Sequence, residues 1–99
     1  MELEYATHDL ERTCTDERVM KKKLGVQVSK SLKLRITELR RAREFDDLRW
    51  GVGRWEQLSG DRGGQWSARL TGNWRLIVRP LERDLTAVLV LEIVDYHRR

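Results

Sequence analysis

Residues 66–78 read Trp-Ser-Ala-Arg-Leu-Thr-Gly-Asn-Trp-Arg-Leu-Ile-Val, and this stretch decides the fold. Apolar and polar residues alternate on both sides of 71–73, as in two strands joined by a three-residue turn. In that register the apolar residues of both strands share one face, while Arg69 lies opposite Arg75. A two-residue turn would mix polar and apolar residues on each face, so the three-residue turn is preferred.

The opposed arginines are the first candidate functional residues. Like charges placed directly across two strands destabilise a sheet unless an anion lies between them. Two converging guanidinium groups suit a phosphate or a carboxylate, so Arg69 and Arg75 predict an anion site. The alternative is that each arginine pairs with an acid, such as Glu56, Asp61 or Glu92.

Two helices are predicted upstream of the hairpin. Thr15 can cap a helix that ends near Leu24-Gly25, and the two acids after Thr15 favour the positive end of the helix dipole. Apolar residues then recur every three or four positions from Val26 to Glu44, which indicates a longer amphipathic helix. The loop that contains His8 and the glycine-containing loop from Arg49 to Arg54 are expected to be irregular.

Strands are expected on both sides of these helices. The last one is apolar on both alternations, which is typical of a strand in the interior of a sheet. The predicted fold is α+β, with a helical hairpin packed on a small, mostly antiparallel sheet, and we expect residues 1–99 to form a single domain. The predicted strands are 2–6, 54–59, 65–71, 74–80 and 86–95.

Charge is concentrated in one part of the chain. The formal net charge is +4, but residues 18–43 hold ten Lys and Arg against one acid, Glu38, a local charge of +9. Such a segment favours a polyanion or an acidic protein partner, although it is also compatible with a solvated helical face. The lone Cys14 forms no internal disulfide, and no stretch has the pattern of a signal peptide or a membrane span, so a cytoplasmic protein is expected.

The end of the chain carries groups suited to acid–base chemistry. His97 can exchange protons near neutral pH, which cleavage of a phosphodiester by a neighbouring 2′-hydroxyl requires. Tyr96 could stack on a base or hold the phosphate through its hydroxyl. Without context, a histidine so placed is more often a solvated residue than a catalytic one. The two histidines have no cluster of partners, so no metal site is expected.

Three segments together resemble a known family. Leu58-Ser59-Gly60-Asp61-Arg62-Gly63-Gly64-Gln65-Trp66-Ser67-Ala68-Arg69, Asn73-Trp74-Arg75-Leu76 and Glu92-Ile93-Val94-Asp95-Tyr96-His97 resemble the HigB toxins of the RelE/ParE superfamily. The resemblance extends from about Leu24 to His97, and its closing six residues are the most specific part. It implies a toxin of a type II toxin–antitoxin system that enters the ribosomal A site and cleaves mRNA there without a metal ion.

The resemblance also implies roles and partners. Arg75 would stabilise the cleaved phosphate, Asp95, Tyr96 and His97 would form the C-terminal part of the active site, and Arg69 and Arg62 would hold the RNA backbone. The expected partners are a helix-turn-helix antitoxin of the HigA kind, the ribosome and mRNA, with no cofactor and no membrane.

Two positions depart from the family pattern, which reads His-x-Leu-Lys-Gly before the Asp-Arg turn. Here Glu56 stands in place of the histidine and could serve as the general base. Ser59 replaces the lysine, whose charge Arg54, Arg62 or Arg79 could supply. The alternatives are therefore a weakened or inactive protein of the same fold that binds an antitoxin or nucleic acid, and a gyrase inhibitor of the ParE kind.

Overall fold

A computed structural model of the chain describes residues 1–96 and has an α+β architecture, as the sequence predicts. Two short 3-10 helices, Phe45–Trp50 and Gly60–Arg62, lie in the connections. The main elements are β1 (Glu2–Tyr5), α1 (His8–Thr15), α2 (Glu17–Arg41), β2 (Glu56–Gln57), β3 (Trp66–Arg69), β4 (Trp74–Leu81) and β5 (Asp84–Asp95).

The five strands form one sheet in the order β1-β5-β4-β3-β2. Only the β1–β5 pair is parallel, so the prediction of a mostly antiparallel sheet is confirmed. β5 lies between two neighbours, as its apolar sequence predicts. Burial differs between its faces, however, since Val88 and Val90 are fully buried against the helices while Leu89 and Leu91 on the strand are half-buried.

The β3–β4 hairpin has the predicted register. Arg69 pairs with Arg75, and the Leu70 backbone N–H donates to the Trp74 carbonyl at 3.0 Å across the turn. The buried face of the hairpin packs on Leu32 and the other apolar residues of α2. The polar face therefore points away from the helices, and this geometry positions the candidate site.

The helical layer begins earlier than the sequence analysis predicts. Residues 8–15 are helical, so the prediction of a loop at His8 is wrong. The Thr7 side chain accepts a hydrogen bond from the Leu10 N–H, and the acids Asp9 and Glu11 occupy the first turn, where a helix dipole favours negative charge. Asp16, not Thr15, caps the next helix.

α2 folds back on itself at Gly25, so the predicted helical hairpin is confirmed. Gly25 has φ 82° and ψ 173°, a conformation that is essentially restricted to glycine. Lys33 Nζ lies 3.1 Å from Glu17 Oε2, whereas residues 16 positions apart in a straight helix would be about 24 Å apart. Residues 17–24 and 26–41 are therefore antiparallel arms, and the second ends at Arg41, not at the predicted Glu44.

The later connections differ from the prediction in detail. β4 extends one residue beyond the predicted strand, to Leu81, and tolerates Pro80 because β3 pairs only as far as Val78, so the missing N–H of the proline breaks no ladder there. The expected strand over 54–59 shortens to the two residues of β2, since Arg54 has a positive φ of 52°. Within residues 1–96, no helix combines the length and apolar character needed to cross a membrane.

Candidate functional site on the open face of the sheet

The two opposed arginines lie on the sheet face that the helices leave uncovered. Arg69 is exposed and Arg75 is half-buried, and neither forms an ion pair with an acid of residues 1–96. They are register partners in a non-hydrogen-bonded pair, since the Arg69 N–H donates to the Gly53 carbonyl on the other side of β3. Two cationic side chains therefore start from adjacent positions on this face, and neither has an ion-pair partner among residues 1–96. The alternative in which acids neutralise both arginines is not what these residues show.

The Arg75 guanidinium is fixed beneath the hairpin turn. Its Nη1 donates to the carbonyl oxygens of Thr71, Gly72 and Trp74 at 2.9, 3.1 and 3.0 Å. Among residues 1–96, Nη1 is the only Arg75 side-chain nitrogen engaged in a hydrogen bond. Toward residues 1–96, Nε and Nη2 therefore remain as donors in a side chain whose orientation is already set.

Tyr96 completes this part of the site. The Arg75 Cζ atom lies 5.5 Å from the centroid of the Tyr96 ring, within cation–π range. The Tyr96 backbone N–H donates to the Asn73 carbonyl at 2.9 Å, which attaches the end of β5 to the hairpin turn. The structure thus places Tyr96 against Arg75, and Arg69 lies opposite Arg75 on the neighbouring strand.

Arg62 reaches the same face but holds an acid. Its Nη2 lies 2.7 Å from Glu92 Oε1, and its Nη1 donates to Gln65 Oε1 at 3.1 Å. The hydrogen bond to Glu92 raises the pKa of Arg62 above its usual range. The sequence analysis did not foresee an acid partner for Arg62, and a phosphate would compete with Glu92 for this guanidinium.

Glu56 lies on the same face, one row of residues from the arginines. It pairs with Ser67, which pairs in turn with Ile77 and then Glu92, so both acids end a single row across four strands. With strands about 4.8 Å apart and two residues spanning about 6.6 Å, the Glu56 and Arg75 backbones are about 12 Å apart. A bound phosphodiester would have to span this gap for Glu56 to act on it.

The two remaining arginine candidates, Arg54 and Arg79, lie in different parts of the structure. Arg54 follows Gly53, whose carbonyl accepts the Arg69 backbone N–H at 3.0 Å, so Arg54 lies beside the opposed pair. Arg79 is four residues along β4 from Arg75, about 13 Å away, and its Nη1 donates to the Pro80 carbonyl at 3.1 Å. It lines a separate cleft of about 310 Å³ with Gly64 and Leu85.

Three further residues of the family pattern lie elsewhere. Asp95 pairs with Trp74, so the register puts it on the helix-covered face, opposite to Arg75 and Tyr96. Ser59 is exposed just before the 3-10 helix Gly60–Arg62, and its carbonyl accepts the Arg62 N–H at 3.3 Å. The predicted catalytic His97 lies outside the described residues.

Sequence reasoning missed the support beneath the loop that precedes β2. Arg35 and Glu38 form an ion pair at 2.8 Å with only 9% and 18% of their side-chain surfaces exposed. Glu38 also accepts hydrogen bonds from the Gly53 N–H and from Trp55 Nε1, both at 3.3 Å. The available signal was that Glu38 is the one acid among ten cations. Trp55 is buried in the core, and this contact satisfies its indole N–H.

The described part of the chain contains no group of three or more His, Cys, Asp and Glu residues that could hold a metal ion. The uncovered face instead carries the guanidinium groups of the opposed pair, an aromatic hydroxyl and two carboxylates. Such a set can bind a phosphodiester, orient it and exchange protons with it.

Comparison with solved structures identifies the fold. The chain is similar to the YoeB/ParE toxin from Agrobacterium tumefaciens, with a TM-score of 0.68 and 20% identity over 96% of this chain and 98% of that one. A chain of the YoeB–YefM complex from Staphylococcus aureus gives a TM-score of 0.65 and 16% identity, covering 98% and 97%. The toxin–antitoxin complex RelBE2 from Mycobacterium tuberculosis gives 0.51 and 21%, covering 95% of each chain.

No protein-family model matches the sequence, and no curated protein matches it either. The likeness is therefore one of structure, carried over almost the whole length of both chains. The protein has the fold of the YoeB/ParE- and RelE-like toxins.

Proposed function

We propose that this protein is the toxin of a type II toxin–antitoxin system, a HigB-like member of the RelE/ParE superfamily that cleaves mRNA in the ribosomal A site. The observation that carries the proposal is the opposed pair Arg69 and Arg75 on the sheet face opposite the helices, with the Arg75 side chain fixed beside Tyr96. The shared fold with proteins named as toxins supports it. The resemblance of the three segments to HigB toxins supplies the finer assignment.

In the proposed reaction the RNA supplies its own nucleophile. A 2′-hydroxyl loses its proton as its oxygen attacks the adjacent phosphorus, and the 5′-oxygen leaves with a proton, so that a cyclic phosphate and a free 5′-hydroxyl result. Arg75 and Arg69 stabilise the negative charge that develops on the phosphorane. Glu56 is the candidate base, Tyr96 and His97 are the candidates for the other proton transfer, and Asp95 supports the C-terminal segment. The reaction requires no metal.

Arg62, Arg54 and Arg79 are proposed to hold the RNA backbone on either side of the cleaved bond. The expected partners are a helix-turn-helix antitoxin, the ribosome and mRNA, all in the cytoplasm. A solved toxin–antitoxin complex with this fold supports the antitoxin assignment. In the absence of antitoxin, the toxin would stop translation.

The test is expression of the chain alone in a bacterial host, with primer extension on a reporter mRNA. The wild type should arrest growth and produce new 5′ ends, while Arg75→Ala and His97→Ala should express at the same level and do neither. Arrest by well-folded protein with no new 5′ ends, or new ends that persist in Arg75→Ala, would refute the nuclease. A DNA supercoiling assay on the same protein tests the ParE-like alternative.

A binding protein without catalysis is the second candidate, and two observations favour it. The Glu56 backbone lies about 12 Å from that of Arg75, and Glu92 occupies Arg62 at 2.7 Å. This candidate predicts that His97→Ala leaves any growth phenotype unchanged. Loss of the phenotype in that variant, with folding intact, would exclude it.

A further inference from the structure

The loop that precedes β2 presents an aromatic side chain to solvent. Trp50, the last residue of its 3-10 helix, is 86% exposed, and Val52 two residues later is 79% exposed. The other three tryptophans, Trp55, Trp66 and Trp74, are buried or half-buried in the core. An indole left this open is unusual for a side chain that packs well, so the position needs an explanation.

The loop is held in place from beneath. The Arg35–Glu38 ion pair lies under it, Glu38 accepts the Gly53 N–H, and Arg35 Nη1 lies 3.4 Å from the Val52 carbonyl. A Cβ atom at Gly51 or at Gly53 would collide with the Glu38 carboxylate. The two glycines therefore let the loop backbone approach this carboxylate closely, and Trp50 projects from a hydrogen-bonded support.

The same loop adjoins the opposed arginines. The Gly53 carbonyl accepts the Arg69 N–H at 3.0 Å, which joins the loop to β3. Trp50 is three residues from Gly53, so their Cα atoms are at most about 11 Å apart. The indole therefore lies within a few nucleotides of any phosphate that Arg69 and Arg75 hold.

We propose that Trp50 is a stacking platform for an unpaired nucleobase of the RNA strand whose phosphate lies between Arg69 and Arg75. The proposal rests on the proposed function and adds a base subsite to it. Charge favours an RNA strand over a protein as the occupant. Arg54 and Arg69 adjoin the loop and form no ion pair with an acid of residues 1–96, while the nearby Arg49 is neutralised by Asp46 at 2.6 Å.

Stacking on an indole tolerates every base, because each base has a π-face, and Val52 extends the apolar surface beside the ring. The subsite would thus position a strand next to the cleaved bond without reading its sequence. Loss of one such stacking contact weakens binding by about 10-fold.

The test compares two single-stranded oligoribonucleotides of equal length, one with bases and one abasic, both with 2′-methoxy groups so that they cannot be cleaved. Binding to wild type, Trp50→Ala, Trp50→Phe and Arg75→Ala is measured by anisotropy of a label on the RNA. Leu85→Ala is the matched control, since Leu85 is 67% exposed but lines the distant cleft near Arg79. Quenching of tryptophan emission gives a second readout, because Trp50 is the one largely exposed tryptophan of residues 1–96.

We expect Trp50→Ala to bind the base-bearing strand about 10-fold more weakly and the abasic strand unchanged, with Trp50→Phe in between and Leu85→Ala like wild type. The base-bearing strand should quench wild-type emission and leave Trp50→Phe unquenched. Equal binding of the base-bearing strand by wild type and Trp50→Ala would overturn the base subsite. The exposed indole would then be assigned to contact with a protein partner. If, in that case, Arg75→Ala still binds both strands more weakly than wild type, the phosphate site is supported although the base subsite is not. If wild type binds neither strand, the base subsite fails, while the proposed function is decided separately by the primer-extension experiment.

Discussion

Arg69 and Arg75 show how one pair of residues can favour ligand binding at the expense of stability. They face each other across β3 and β4, and no acid of residues 1–96 forms an ion pair with either. Opposed like charges cost a few tenths of a kcal/mol up to about one. An anion between them would remove this cost, so the pair is poised to bind one.

The first prediction concerns the effect of this repulsion on stability and on anion binding. Arg69→Gln should raise the free energy of unfolding by about 0.2–1 kcal/mol, because it removes the repulsion. Excess inorganic phosphate should raise the melting temperature of the wild type more than that of the variant, since only the wild type offers both guanidinium groups. Thermal unfolding with and without phosphate measures both effects.

Lys30→Gln is the matched control, because Lys30 is an exposed cation on α2 without an ion pair among the described residues. It should change neither the stability nor the response to phosphate. A loss of stability in Arg69→Gln would contradict the prediction, as would an equal response of all three proteins to phosphate.

Cys14 gives a second prediction at the scale of a residue. Burial raises the pKa of its thiol from 9.0 to about 12. In the unfolded chain the thiol ionises near pH 9, while in the folded chain it stays protonated, so stability is fully present below pH 9 and falls as the pH rises toward 12. The slope from this group is about 1.4 kcal/mol per pH unit.

Chemical denaturation of wild type and Cys14→Ala from pH 7 to 10.5 measures this effect. Other groups that titrate in alkali affect both proteins alike, so the stability advantage of the wild type should narrow above pH 9. Two parallel stability curves would show that the buried thiol is not the cause. The folded wild type should also resist thiol reagents at pH 8, because the thiolate is the reactive form.

Among the helices and strands, the ones that could be predicted from the sequence are those for which apolar periodicity and turn residues agree. Apolar alternation and the turn at 71–73 point to the same register, and both the hairpin and its arginine pair follow from them. α1 was missed because residues 8–15 are mostly polar. No periodic run of apolar residues follows the cap Thr7, so the sequence gives no sign of a helix that begins there. The Arg62–Glu92 pair joins residues 30 positions apart, and no local pattern encodes it.

Gly25 supplies the prediction at this scale. A Cβ atom there would meet no atom within 4 Å, so its positive φ is the constraint. Gly25→Ala should lower the free energy of unfolding by about 1–3 kcal/mol through backbone strain alone. Gly72→Ala, equally open but without a positive φ, is the control and should have a much smaller effect. Denaturant unfolding compares the two, and equal losses would contradict the strain argument.

The whole molecule carries positive charge on both sides of its sheet. The arginine site lies on the open face, while the helical hairpin and the segment just after it on the other face hold six exposed cations without an ion pair to an acid of residues 1–96. These six are Arg18, Lys22, Lys30, Arg40, Arg41 and Arg43. A molecule built this way can contact two separate polyanionic surfaces at once.

The fourth prediction follows from this distribution. A triple change of Lys22, Lys30 and Arg41 to Gln should weaken association with ribosomes and flatten its dependence on salt by about 3 in log–log slope, if each cation contacts a phosphate. Arg75→Ala should leave that association unchanged while abolishing cleavage. Co-sedimentation with ribosomes over a range of salt concentrations tests both. An unchanged slope in the triple variant would place the ribosome contact elsewhere.

The position of β5 in the sheet also determines when the arginine–tyrosine site can form during folding. Glu2 pairs with Ala87, so this part of the sheet requires contact between segments far apart in the chain, and such contacts form late and slowly. β5 also leads directly into Tyr96, whose ring lies against Arg75. A nascent chain can therefore form the helical hairpin early, but it cannot assemble the arginine–tyrosine site until β5 has been synthesised and has joined the sheet. The site proposed to act on RNA therefore forms later than the helical hairpin.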